Sequence, residues 1–89
     1  MTSHTVTISN RLGLHARAAA KVVHAANGFS SDVFIGTEEE EVNAKSILGL
    51  LTLAATKGTT VTLRADGLDE DEAVRTLVTL FEDKFGEGE

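Results

Sequence analysis

The sequence contains no cysteine, proline, tryptophan or tyrosine, and each absence narrows what the chain can be. Without cysteine there is neither a disulfide framework nor a thiolate metal site, which fits a reducing compartment and makes a cytoplasmic location the expectation. The aromatics are four phenylalanines. Only Phe34 among them falls in a predicted strand, so the chain lacks a sheet studded with base-stacking rings. Cations are also scarce: 8 Lys and Arg against 14 Asp and Glu give a formal net charge of -6, which opposes the phosphate backbone of nucleic acid. Nucleic acid is not an expected partner. No apolar run approaches the roughly 20 residues that span a bilayer, and the opening MTSHTVTISN lacks the basic start and apolar core of an export signal. Neither membrane insertion nor export is expected. At 89 residues the chain suffices for one compact core and not for two, so residues 1–89 read as a single domain, with the apolar-free tail 86–89 expected to fray.

What is present falls into short periodic segments. Thr5 to Ser9 alternates Val6 and Ile8 with hydroxyl residues, the period of a half-buried strand. From Ala16 the period becomes helical: Ala16, Ala19, Ala20, Val23 and Ala26 share a stripe, and Gly28 is placed to end the helix in a left-handed conformation. Asp32 to Thr37 and Val42 to Asn43 read as a hairpin around the acidic tip Glu38 to Glu41. Ser46 opens a short helix, SILGLLTLA, as its N-cap, and Gly58 closes that region. Thr59 to Ala65 alternates again, with Val61, Leu63 and Ala65 on one face, before the turn Asp66-Gly67. Asp69 with Glu72 resembles a capping box, and the apolar positions from Ala73 to Phe81 predict a long final helix ending near Phe85. The order βαββαβα implies an α/β (α+β) open-faced β-sandwich, one four-stranded antiparallel sheet with three helices on a single face.

Between the first strand and first helix lies Asn10-Arg11-Leu12-Gly13-Leu14-His15-Ala16-Arg17, which puts His15 at about the N-cap. The first amides of a helix have no internal partners, and the macrodipole adds partial positive charge there. Arg17 in the first turn opposes that dipole unless an anion visits. On residue chemistry alone two readings compete. In the plainer one, which leads at this point, His15 is a mediocre cap and Arg17 a solvated charge. In the other, a neutral imidazole attacks a phosphoryl group whose oxygens are held by helix amides and guanidinium. The eight glycines form no nucleotide-phosphate cradle, so in this second reading the phosphoryl donor is another protein and no cofactor is needed.

Gly13-Leu14-His15-Ala16-Arg17, followed about 30 residues later by Asn43-Ala44-Lys45-Ser46-Ile47-Leu48-Gly49-Leu50, resembles the HPr family, the histidine-containing phosphocarriers of the bacterial phosphoenolpyruvate-dependent sugar phosphotransferase system. The resemblance spans nearly the whole chain. It implies that His15 takes a phosphoryl group from enzyme I, as a pros-phosphohistidine, and passes it to enzyme IIA domains, with Arg17 steadying the phosphate, and that the protein is a carrier and not an enzyme. It also implies Ser46 as a regulatory phosphorylation site for HPr kinase/phosphorylase, a docking surface of Ala16, Ala20, Ile47, Leu48 and Leu51, and a monomer. The family usually has proline after the arginine, where this chain has Ala18; alanine is a strong helix former, so the helix is expected to survive. A carrier of the nitrogen-related regulatory branch is an alternative, and an acylphosphatase-type hydrolase a weaker one, since no glycine-rich phosphate loop carries an arginine here.

His24 reads as a surface residue near a helix C-terminus, where the dipole favours a cation. No metal site is expected: His4, His15 and His24 lack metal-ligand spacing, and Glu38 to Glu41 lacks the pattern of a calcium loop.

Overall fold

A computed structural model of the protein describes residues 1–53 and 55–87. In chain order the elements are β1 (Thr2–Thr7), α1 (Ala16–Asn27), β2 (Asp32–Gly36), β3 (Glu41–Asn43), α2 (Ile47–Leu53), β4 (Thr60–Asp66) and α3 (Glu70–Glu82), followed by a 3-10 turn at Lys84–Gly86. The strands form one sheet in the order β1-β4-β2-β3. Every neighbouring pair is antiparallel, with Val6 opposite Val61, Leu63 opposite Ile35 and Ala65 opposite Val33. Those side chains are buried against the helices. Thr5, Thr7, Thr60 and Thr62, one position out of phase, stay exposed on the other face. The alternation legible in the sequence thus becomes the two faces of an open-faced sandwich.

The open face carries one organised polar cluster. Arg64 donates to both Glu41 carboxylate oxygens at 2.8 and 2.6 Å, and its guanidinium lies 4.3 Å from the centre of the Phe34 ring. The arginine and phenylalanine stack as a cation over an aromatic face.

Several boundaries differ from expectation. β1 begins at Thr2, not Thr5, because the ladder to β4 continues to the pair Thr2 and Ala65. In α1 the buried stripe is Ala18, Ala19, Val22 and Ala26, so Ala16 and Ala20 face solvent. With alanine at six of the positions between 16 and 26, hydrophobicity alone does not fix the rotation of the helix about its axis. The helix survives without proline, and Ala18 is fully buried in its first turn. Gly28 is right-handed at φ -74°, and its N–H donates to the Ala25 carbonyl at 3.1 Å, so the helix ends by tightening and not by a left-handed cap.

The N-terminus of α3 is built differently from a capping box. Asp69 makes no side-chain cap bond. Its carboxylate instead accepts the backbone N–H groups of Ser30 and Ser31, each at 2.9 Å, and the Ser31 hydroxyl. Asp69 therefore ties the α1–β2 connection to the start of α3. At the other end α3 stops at Glu82. Lys84 and Phe85 both take positive φ, 53° and 55°, which returns the Phe85 ring to the core, edge-on to Phe81 at 4.8 Å. The tail also differs from a fraying one as far as it is described: Gly86 completes the 3-10 turn and Glu87 is hydrogen-bonded. Gly88 and Glu89 lie outside the described residues.

The Ser31 hydroxyl, and after it the Ser30 amide, hold the Asp69 carboxyl from an ordinary 3.8 down to about 2. A depressed folded-state pKa contributes stability above the unfolded value and loses it as pH falls through the folded one. Asp69→Asn is expected to destabilise the protein at neutral pH, and its deficit against wild type should shrink as pH falls from 3.8 towards about 2. Urea melts of both proteins across that range measure this; a deficit independent of pH would refute it.

Candidate functional site

The segment joining β1 to α1 is fastened at both ends. The Ile8 carbonyl accepts the Gly58 N–H at 2.8 Å while the Ile8 N–H donates to the Thr59 carbonyl at 2.9 Å, and the Leu14 N–H donates to the Ala55 carbonyl at 2.8 Å. Ile8 and Leu14 are buried. Between them, the Asn10 side-chain amide donates to the Gly13 carbonyl at 2.8 Å, and the Gly13 N–H returns to the Asn10 carbonyl at 3.2 Å. Gly13 has φ +66°, and a Cβ at that position would lie 2.6 Å from the Ala55 carbonyl oxygen. Only glycine fits both the left-handed backbone and the close approach.

With Leu14 drawn into the core, the next residue emerges at the surface. His15 is the N-cap of α1 with φ -79° and ψ 179°, and its side chain makes no cap bond. The first helical i→i−4 bond is that of the Ala19 N–H to the His15 carbonyl, 2.8 Å. The amides of Ala16, Arg17 and Ala18 therefore precede the helix ladder, and those of the exposed Ala16 and Arg17 lie at its mouth. His15, Arg17, Arg11, Lys21 and Glu87 line one open pocket. Arg17 is exposed and has no hydrogen bond or ion pair to any described residue. Lys21 donates through Nζ to the Phe85 carbonyl.

The His15 ring is oriented by a residue the sequence did not point to. Its Nε2 is paired with Oε2 of Glu87, while Oε1 of Glu87 accepts the Asn10 side-chain amide at 2.9 Å. Nδ1 has no partner among the described residues. The Asn10 amide, and more weakly the His15 ring, hold the Glu87 carboxyl below the ordinary range against the opposing effect of burial. Glu87 lies 72 positions from His15, so no local spacing could have linked them, and an acidic residue in a tail without apolar neighbours reads as solvated. Asn10 stood within the quoted motif but carried no signal of its own; its burial is what marks it.

Ser46 does not line this pocket. It caps α2 as the sequence implied: its hydroxyl oxygen accepts the Gly49 N–H at 3.1 Å. Leu50 and Leu53 of α2 are buried, whereas Ile47, Leu48 and Leu51 are 39, 74 and 40 % exposed, so the surplus of apolar residues on that short helix does reach solvent. α2 packs beside α1, whose exposed residues include Ala16 and Ala20. Among the described residues no group of three or more His, Asp or Glu could hold a metal ion, and no helix is long and apolar enough to cross a membrane. Chemically, the site offers an unoccupied imidazole nitrogen, three nearby cations and free helix amides, a combination suited to a tetrahedral dianion.

A family model described as the PTS HPr component phosphorylation site matches residues 2–83. The phosphocarrier protein HPr of Xylella fastidiosa (strain Temecula1) is 48% identical over 87 residues, 98% of each chain. Among solved structures, HPr-C-His from Thermoanaerobacter tengcongensis superposes with a TM-score of 0.94 at 47% identity, covering 98% of both chains. An HPr dimer from the same organism gives a TM-score of 0.78 at 47% identity, covering 98% of this chain and 100% of that one.

Because Gly13 combines a positive φ with a backbone contact, Gly13→Ala is expected to lower stability by about 1–3 kcal/mol from the strained conformation, with the clash adding to it. Urea denaturation checks this, and a variant as stable as wild type would show that the segment before His15 is not held as described.

Proposed function

The chain belongs to the PTS-HPr family of phosphocarriers, and from that premise we propose that His15 accepts a phosphoryl group on Nδ1 from enzyme I and hands it to enzyme IIA domains in sugar uptake. The observation that carries this reading is the position of Nδ1: it is the ring nitrogen without a partner among the described residues, at the mouth of α1 and in a pocket shared with Arg17. The neutral imidazole supplies the lone pair that forms the bond to phosphorus. Arg17, whose guanidinium is unengaged among the described residues, and the amides of Ala16 and Arg17 bind the phosphoryl oxygens. No cofactor takes part, and the product is a covalent intermediate and not a released compound, which makes the protein a carrier between enzymes.

The exposed side chains of Ala16 and Ala20 on α1, with Ile47, Leu48 and Leu51 on α2, serve as the docking surface for both donor and acceptor. Exposed apolar side chains of this size on one side of a small domain suit transient contact. Ser46, half-buried at the start of α2, is proposed as the substrate of HPr kinase/phosphorylase, since a phosphate at a helix N-terminus is tolerated by the dipole and by the free amides. Residues 1–89 act as one domain. Transfer by a monomer is proposed, although the HPr of Thermoanaerobacter tengcongensis also occurs as a dimer. The absence of cysteine and the use of phosphoenolpyruvate suit the cytoplasm.

Incubation of the full chain with enzyme I and labelled phosphoenolpyruvate is expected to yield an acid-labile, base-stable label that His15→Ala abolishes; failure of wild type to take up label would overturn the carrier reading. Leu48→Glu is expected to leave the thermal unfolding unchanged while lowering kcat/KM with enzyme I about 10-fold, equivalent to the loss of roughly 1.4 kcal/mol of docking energy. Unaltered kinetics in that variant would remove α2 from the docking surface.

A further inference from the structure

Glu87 approaches His15 from the opposite side of the ring to the nitrogen assigned above as the acceptor. A neutral imidazole carries one proton, and whichever nitrogen holds it cannot be the nucleophile. A carboxylate accepts hydrogen bonds and, when ionised, donates none. Pairing between Nε2 and Glu87 is therefore satisfied by the tautomer with hydrogen on Nε2, which leaves the lone pair on Nδ1.

We infer that Glu87 is a positioning residue for phosphoryl transfer, fixing the Nε2–H tautomer of His15 and balancing the positive charge the ring gains as Nδ1 bonds to phosphorus. This rests on the assignment of Nδ1 as the acceptor. In the step itself the Nδ1 lone pair forms the N–P bond, while the bond from phosphorus to the donor breaks with its electron pair leaving on the donor. Nε2 keeps its proton throughout, so the ring passes from neutral to cationic and Glu87 remains a carboxylate. Onward transfer reverses the change: the N–P electrons return to Nδ1 and the ring is neutral again. A carboxylate that orients an imidazole and stabilises its cation without taking the proton is the arrangement known from serine hydrolases.

Glu87 is itself held in place, as such a role requires. The wholly buried Asn10 donates to its Oε1 at 2.9 Å and to the Gly13 carbonyl at 2.8 Å, so the amide that shapes the loop before His15 also fixes the carboxylate. Two residues earlier, Phe85 is buried against Phe81, and its carbonyl accepts the Lys21 Nζ. The carboxylate is thus delivered from the core, not by a free tail. The lowered pKa of Glu87 keeps it ionised at neutral pH. The competing possibility is a plug, in which Glu87 occupies the cationic pocket and repels the incoming phosphoryl group.

The two roles separate in full-length Glu87→Leu and Glu87→Gln, each checked by thermal unfolding. In ¹⁵N-histidine NMR at alkaline pH, wild type is expected to show His15 as the Nε2–H tautomer alone, with Nδ1–H appearing in Glu87→Leu. The side-chain amide introduced by Glu87→Gln keeps an acceptor oxygen, so that variant should retain the tautomer. Phosphoryl uptake from enzyme I should be about 10-fold slower or more in Glu87→Leu, the scale seen when a group orienting a metal-ligating histidine is removed, and intermediate in Glu87→Gln. An unchanged tautomer in Glu87→Leu, or uptake faster than wild type in either variant, would overturn the inference and favour the plug. If wild type takes no phosphoryl group at all, the carrier reading fails, and the tautomer measurement still decides whether Glu87 sets the ring.

Discussion

Leu14 cannot be both buried and part of a relaxed surface loop, and that conflict governs the geometry around His15. Its burial is worth about 1.5–3 kcal/mol, and its N–H is matched to the Ala55 carbonyl. The loop must therefore press against the segment before β4, which is possible only because position 13 has no side chain. The helix that follows starts at once, its buried stripe of Ala18, Ala19, Val22 and Ala26 lying on the same closed sheet face as Val61, Leu63 and Ala65. His15 is left as the hinge residue between a buried neighbour and a packed helix, with its backbone fixed from both sides.

Charge is distributed against the average of the molecule. The chain is acidic overall, at -6, yet Arg11, Arg17 and Lys21 gather at one pocket beside a helix N-terminus. Two of the acidic groups with the most depressed pKa values, Asp69 and Glu70, are spent on structural bonds to Ser31, Ser30, the chain's N-terminal ammonium and Thr2. Glu41 is likewise engaged by Arg64. At distances beyond the screening length the protein repels anions, while the pocket beside His15 sets three cations against the single carboxylate of Glu87.

The periodicities carried most of the architecture, because period two and period 3.6 map directly onto faces, and the order of strands and helices followed them. The discrepancies arise where contacts distant in sequence decided between local options. Alanine at positions 16, 18, 19 and 20 is apolar in every direction, so the rotation of α1 was set by neighbours the sequence does not name. Asp69 had a local partner available in the capping amides and took a non-local one in Ser31. Phe85 continued the helical pattern, but only a left-handed turn brings its ring onto Phe81. At the site, His15 and Arg17 were legible because they are close in sequence and Arg17 is in local conflict with the helix dipole. Asn10 and Glu87 were not, since their significance comes from a contact 77 residues apart in sequence.

The sheet order has a consequence for synthesis. β1 is an edge strand whose one neighbour is β4, and Thr2 pairs with Ala65. At translation rates of about 5–20 residues per second, β1 waits on the order of 3–13 s after emerging before its partner exists. During that interval it is an unpaired edge, the kind of segment that recruits other chains. Val6 is the single apolar residue of that strand, and Ser3, Thr5 and Thr7, which later face the open side of the sheet, keep the unpaired segment too polar to stick readily to another copy of itself.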